Sequence, residues 1–246
     1  KNIRAVVNED GEFAFDVQGR EFVPTDWSLQ QFSIRSNVPS STVIQKLRLQ
    51  EDFDADDAAI MVGLANNALR RLNQDKIYRM RTYTDGTCRA FVTDRYAPID
   101  NRWYLEQLQN NLPEGRLSHW RGDEDTIFGN ILLPDTIIDY GQSDDSDYGG
   151  MMSIGNCEIG KRRIQQVPSL FRSICLNGCI WGQVSGSAIK KRHIGNIDLV
   201  ELGGQITANI NEQLPLLPMG VRKLLELREL DCLDATMKSV FAAVAM

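Results

Sequence analysis

Residues 149–195 read GGMMSIGNCEIGKRRIQQVPSLFRSICLNGCIWGQVSGSAIKKRHIG, and the rest of the chain is organised around them. The cations there are Lys161, Arg162, Arg163, Arg172, Lys190, Lys191 and Arg192, against one carboxylate, Glu158. The stretch therefore carries +6 inside a chain of net charge −6, which leaves −12 for the remainder. A field segregated in this way faces an anion, and nucleic acid is the commonest polyanion. Locally, residues 151–154 read as a strand, 155–160 as a bend, and 161–167 as an extended lead into Pro168. Residues 169–177 predict a short helix, because Asn177-Gly178 supplies a left-handed C-terminal residue. Residues 179–187, with Trp181, predict a strand, and the following polar loop holds Lys190, Lys191, Arg192 and His193.

Toward the N-terminus, residues 12–18 (EFAFDVQ) alternate apolar and polar side chains, with Phe13, Phe15 and Val17 on one face, and Gly19 turns them into residues 20–23. This predicts a hairpin. Pro24-Thr25-Asp26 is a helix start capped by Thr25 or Asp26, with Trp27, Leu29, Phe32 and Ile34 available for packing. Ser40 or Ser41 caps a second short helix through Leu49. Residues 54–73 predict the clearest helix, with carboxylates in its first turns and Arg70 and Arg71 in its last, as the macrodipole favours. Ile60, Leu64, Ala68 and Leu72, with Met61 and Ala65, are the expected buried stripe.

Residues 77–93 give two β-rich runs joined at Asp85-Gly86, a hairpin signal. One face of the first run holds Tyr78 and Met80, the other Ile77, Arg79, Arg81 and Tyr83. Arginines alternating with aromatics can track phosphates and stack bases, and the same pattern also describes an exposed strand with snorkelling arginines. Arg95 and Tyr96 follow in a tight connection, residues 102–111 predict a helix, and 117–120 and 126–133 predict strands. Residues 139–150 read as a polar loop, and beyond Asp198 helices are expected at 199–212, 222–230 and 233–244, broken at Pro215 and Pro218.

These elements predict an α+β fold: a mainly antiparallel sheet of hairpins with packed helices in a core domain of residues 1–197, and a helical section at 198–246. With 246 residues, 42% of them hydrophobic, the chain can bury a substantial core. No run of eighteen apolar residues exists and residues 1–11 lack a signal-peptide core, so the expected setting is the cytoplasm, with no membrane partner. Five cysteines at irregular spacing fit reduced thiols. The acidic balance, with a pI of about 5.1, confines any nucleic-acid site to a local patch.

Motifs for chemistry are sparse. Asp54, Asp56 and Asp57 read as a solvated helix start, and the aspartates of 139–150 lack EF-hand spacing. Cys157, Cys175, Cys179 and His193 lack the second close pair that a zinc site uses. Cys175 with His193 as nucleophile and base competes with a buried structural thiol. Asp94, Asp100 and Glu158 are the carboxylates a metal-dependent nuclease would use, without diagnostic spacing. No Walker or dinucleotide fingerprint occurs, and no cofactor is expected.

Five ordered blocks carry a resemblance: PTDWSLQQF (24–32), VTDRYAPIDN (92–101), SIGNCEIGKRRI (153–164), PSLFRSICLNGCIWG (168–182) and RHIG (192–195). Over roughly residues 11–230 the chain resembles the phage/plasmid-like domain of unknown function numbered nine hundred and thirty-two. That resemblance implies a protein of phages, plasmids or integrated elements, in the company of DNA replication and recombination, with no catalytic residues to carry over.

The expected function is non-enzymatic binding or annealing of single-stranded DNA by an oligomer. Phosphates meet Lys161, Arg162, Arg163, Arg172, Lys190, Lys191 and Arg192, with Arg79, Arg81 and Arg95 as a second set. Bases stack on Tyr78, Tyr83, Tyr96 and Trp181. A protein-interaction factor whose basic stretch meets an acidic partner is the alternative, and a metal-dependent nuclease the third reading.

Overall fold

The computed structural model describes residues 3–36, 54–72, 76–112, 114–138, 148–172, 179–183 and 188–229. The fold is α+β and divides into two compact units, Lys1–Ala97 and Pro98–Met246. The division falls inside the expected core domain of residues 1–197, and the described helices after Asp198 pack within the second unit.

In the first unit, β1 (Ile3–Val7), β2 (Phe13–Val17) and β3 (Arg20–Pro24) precede α1 (Asp26–Ser36), α2 (Ala55–Arg71), β4 (Tyr78–Thr82) and β5 (Thr87–Thr93). The sheet order is β1-β2-β3-β5-β4, with β3 and β5 parallel and the other neighbours antiparallel. Gln18 and Gly19 both take positive φ, 61° and 81°, between the paired residues Val17 and Arg20. That is the two-residue turn whose twist matches a hairpin. β1 has no counterpart among the sequence expectations. It is held by pairing with β2 and by Asn66, whose side chain bonds both backbone groups of Ala5 at 2.9 Å.

Thr25 caps α1, accepting the Ser28 N–H at 3.2 Å, and Leu29 and Phe32 enter the core as expected, whereas Ile34 is exposed. Asp54 caps α2 by accepting the N–H groups of Asp56 and Asp57. The buried stripe of α2 is rotated from the expected one. Ala58, Met61, Ala65 and Ala68 are buried, while Ile60 is 54% and Leu64 38% exposed. The small alanines let α2 approach β1 closely, so Ile60 and Leu64 fall outside the contact. Phe15, Phe32 and Phe91 pack edge to face at 5.1 and 5.3 Å, an arrangement aromatic quadrupoles favour.

In the second unit, α3 (Asn101–Asn111) leads to β6 (Arg116–Gly122), β7 (Thr126–Ile138), β8 (Tyr148–Cys157), β9 (Ile164–Arg172), β10 (Cys179–Gln183), β11 (Ile189–Lys191), α4 (Leu199–Gln213) and α5 (Leu216–Glu229). The antiparallel sheet runs β10-β9-β8-β7-β6, with β11 also beside β9. Ile127, Ile131, Met152, Ile154 and Ile164 on one sheet face meet Tyr104 and Leu108 of α3, Leu202, Ile206 and Ile210 of α4, and Leu217 of α5. Strand alternation puts Phe128, Asn130, Ser153 and Gln165 on the opposite face.

Two expectations are corrected here. The helix expected from Ser169 is strand through Arg172, because residues 169–172 pair with β8 on one side and β10 on the other, and two ladders override a local helix signal. Pro168 lies where β11 has ended its pairing at Gln166 and β10 begins at Ser169, a gap in the ladder on that side of β9. The helix expected from Arg222 starts at Leu216, because Pro218 sits in its first turn, where N–H groups have no intrahelical partner. The expected helices at 40–49 and 233–244, the acidic loop through residue 147 and Cys175 lie outside the described residues.

Candidate nucleic-acid interface

The registers decide which cations meet. Lys161, Arg162 and Arg163 are all exposed, on the turn that joins β8 to β9. β11 pairs with the first residues of β9, Lys191 opposite Ile164 and Lys190 opposite Gln165. Lys190, Lys191 and Arg192 therefore stand beside residues 161–163 at one end of the sheet, although nearly thirty residues separate them in the chain. Lys190 and Arg192 are exposed and Lys191 is half-buried.

The same end contains a third source of positive charge. β6 bulges between Ser118 and Arg121, which face Asn130 and Phe128. The extra residue bends the strand at His119, whose φ of 50° lies in the left-handed region. That conformation costs a non-glycine residue about 1–2 kcal/mol, and here it sets Arg121 on the same face as Phe128. Next to it, Trp120 is 42% exposed and rests on backbone, since a Cβ on Gly122 would lie 2.8 Å from its ring.

An open groove of about 660 Å³ lies on this face, lined among others by His119, Arg121, Asp123, Phe128, Asn130 and Arg162. Asp123 is occupied within its own turn, accepting the N–H groups of Asp125 and Thr126 at 2.9 and 2.6 Å. Ser153 donates its hydroxyl to Asn130 at 2.8 Å and fixes that amide. Reading the registers across the strands gives one row on this face: Arg121, Phe128, Gly155, Gln165, Lys190. At a strand spacing of about 4.8 Å the row spans roughly 19 Å, with a cation at each end and a ring between.

Below the groove the second unit is braced by its own polar contacts. Glu158 is buried and accepts the Asn101 N–H at 2.7 Å, serving the start of α3 where the Asp100 side chain makes no capping bond. Asn156 donates to the Ile99 carbonyl and to Asn101 Oδ1, both at 2.9 Å. Residues of PIDN (98–101) and SIGNCEIG (153–160) thus meet in the core.

The remaining candidates belong to other parts of the chain. Arg172 ends β9 opposite Tyr148 and Cys179, about 26 Å along the strand from Ile164. Trp181 pairs with Leu170 at that far end. Neither backbone position belongs to the basic end. Arg79, Arg81, Arg95, Tyr78, Tyr83 and Tyr96 belong to the first unit. There Arg79 and Arg95 are exposed and Arg81 and Tyr96 half-buried. Tyr78 stacks on Phe91 at 5.7 Å as part of the core, and Tyr83 lies under the Arg89 guanidinium at 4.6 Å.

Among the described residues no three His, Cys, Asp or Glu side chains gather as metal ligands would. Asp94 belongs to the first unit and Asp100 and Glu158 to the second. The buried Cys157 thiol lies 3.4 Å from the Thr126 hydroxyl, and His193 is buried beyond β11. Among the described residues no helix is long and apolar enough to cross a membrane.

The chain matches no family model, curated protein or solved structure. His119, Trp120, Arg121 and Phe128 were not singled out by sequence. The signal was there in SHWRG, an aromatic flanked by basic groups on a strand, but its alternation does not reveal the bulge that turns Arg121.

Proposed function

We propose that the chain binds single-stranded nucleic acid without chemical turnover, through the basic end of its second sheet. The observation that carries this reading is the β11–β9 register, which brings Lys190 and Arg192 beside the turn of Lys161, Arg162 and Arg163, with the half-buried Lys191 between them on the Ile164 face. Arg121 and the groove with its Phe128 ring extend the same surface. Cations along a backbone path with a ring on a sheet face suit a splayed strand, because each base offers a π-face, whereas a duplex hides its bases. The proposed interface leaves out Arg172 and Trp181, whose backbone positions are at the other end of β9. A role in annealing during phage or plasmid recombination, by an oligomer, rests on the resemblance of the five blocks.

The test is a titration of labelled single-stranded DNA, single-stranded RNA and duplex of equal length across a salt series. Tight, salt-sensitive binding of a single strand, weaker for duplex, is expected. Flat curves at low salt reject the reading. Binding of polyglutamate as tight as that of DNA favours the acidic-partner alternative, and chelator-sensitive fragments after adding Mg²⁺ or Mn²⁺ favour the nuclease.

A further inference from the structure

We infer that the groove between the β6 bulge and the β8–β9 turn is a seat for one base of the bound strand. The base lies on Phe128, and the phosphates on either side of it lie against Arg121 and Arg162. This deepens the single-strand reading and rests on it.

Four observations converge. Phe128 is half-buried on the sheet face that Ile127 and Ile131 do not share, so its ring is anchored yet reachable from the groove. Arg121 pairs directly with Phe128, and Arg162 lines the same groove from a different turn, so two exposed arginines border the groove that holds the ring. Gly155 is the neighbour of Phe128 on β8, and having no side chain of its own it lets the flexible Gln165 side chain lie over it, 3.2 Å from where a Cβ would stand. The left-handed His119 is what allows Arg121 this position, and backbone strain of that kind persists at sites where it serves a geometry.

The surroundings give the strand a direction. Asp123, Glu124 and Asp125 occupy the β6–β7 turn at one side of the groove and repel a phosphate chain there. On the other side the row continues through Gln165 to Lys190. A strand seated on Phe128 therefore leaves across the sheet toward β11 rather than along the β6–β7 turn.

Photo-crosslinking tests the seat. A single-stranded oligonucleotide carrying 5-iodo-deoxyuridine at its centre is bound to the full chain and irradiated, and the adduct is mapped by mass spectrometry. Adducts on Phe128 or His119 are expected. Phe128→Leu is expected to weaken binding roughly five- to hundred-fold, as loss of one stacked base does, while Phe128→Tyr retains it. An oligonucleotide of abasic sites, with phosphates and no bases, should bind the wild type and Phe128→Leu equally. Arg121→Gln and Arg162→Gln should each reduce the salt slope by about 0.7. If the wild type binds but its adducts map away from the groove, or Phe128→Leu retains its melting temperature and binds within two-fold of wild type, the seat is overturned and the broader reading stands. If the wild type binds no single strand, both fall.

Discussion

Arg121 and Lys190 stand at opposite ends of one cross-strand row, Arg121 paired to Phe128 on β7 and Lys190 to Gln165 on β9, with Gly155 joining the two pairs. Neither residue is near the other in the chain, and both are exposed. The row depends on two local events: the bulge at His119, and the return of the chain after residue 187 to pair as β11 with the start of β9. Shift either register by one residue and the cation moves to the face that carries Ile127 and Ile154.

Charge reversal at the two basic segments should have parallel effects. Lys161→Glu, Arg162→Glu and Arg163→Glu together, or Lys190→Glu with Arg192→Glu, are expected to lower single-strand affinity by about ten-fold or more. The triple variant should flatten the salt dependence by about two log units per log unit of salt, since each phosphate contact on a single strand contributes about 0.7. Arg172→Glu, at the far end of β9, should stay within two-fold of wild type. Anisotropy titrations at four salt concentrations read all three.

Glu158 is expected to act on stability rather than on binding chemistry. Glu158→Ala leaves the Asn101 N–H buried without its carboxylate acceptor, 2.7 Å away in the native chain, and should cost about 1–3 kcal/mol. Glu158→Gln keeps an oxygen there and should cost less. Urea unfolding of the two variants provides the comparison.

The rotated stripe of α2 separates two neighbours. Met61 is fully buried against the first sheet, and Met61→Ala should cost about 2–5 kcal/mol. Ile60 is 54% exposed, and Ile60→Ala should stay within about 0.5 kcal/mol of wild type. Urea midpoints decide it, and the reverse order would restore the stripe expected from sequence.

Asp16 makes the first unit sensitive to acid. The Arg4 guanidinium, bonded to its carboxylate at 2.6 Å, holds its pKa below the ordinary value, with the Gly19 N–H at 2.7 Å assisting. A carboxylate depressed by folding stabilises the fold above its unfolded pKa, about 3.9, and loses that contribution as pH falls through the lower folded value. Asp16→Asn should therefore be less stable than wild type at pH 7, and the gap should close on acidification below pH about 4. Denaturation midpoints of both proteins from neutral pH downward measure this.

Much of the fold was legible locally. The Gln18-Gly19 and Asp85-Gly86 turns, the Thr25 and Asp54 caps, and the helix at 101–111 each follow from a few adjacent residues, because turn and cap preferences are set by short-range sterics and hydrogen bonds. The α+β class follows from the mixture of these periods. Elements whose reason lies in a distant partner were not legible. β1 is an edge strand made by pairing with β2, and residues 169–172 are strand because two ladders meet there.

The candidate site divides in the same way. Sequence alone determined that the positive charge is concentrated between residues 161 and 192 of an acidic chain, since composition along the chain does not depend on folding. Only the tertiary structure decided which of those cations share a surface. Strand register brought residues 190–192 beside 161–163, carried Arg172 and Trp181 to the other end of β9, and recruited Arg121 and Phe128 from strands that sequence treated as scaffold. The physical reason is that a strand's side chains alternate with period two, so a pairing register and one bulge, neither encoded by neighbouring residues alone, determine which distant groups face the same way.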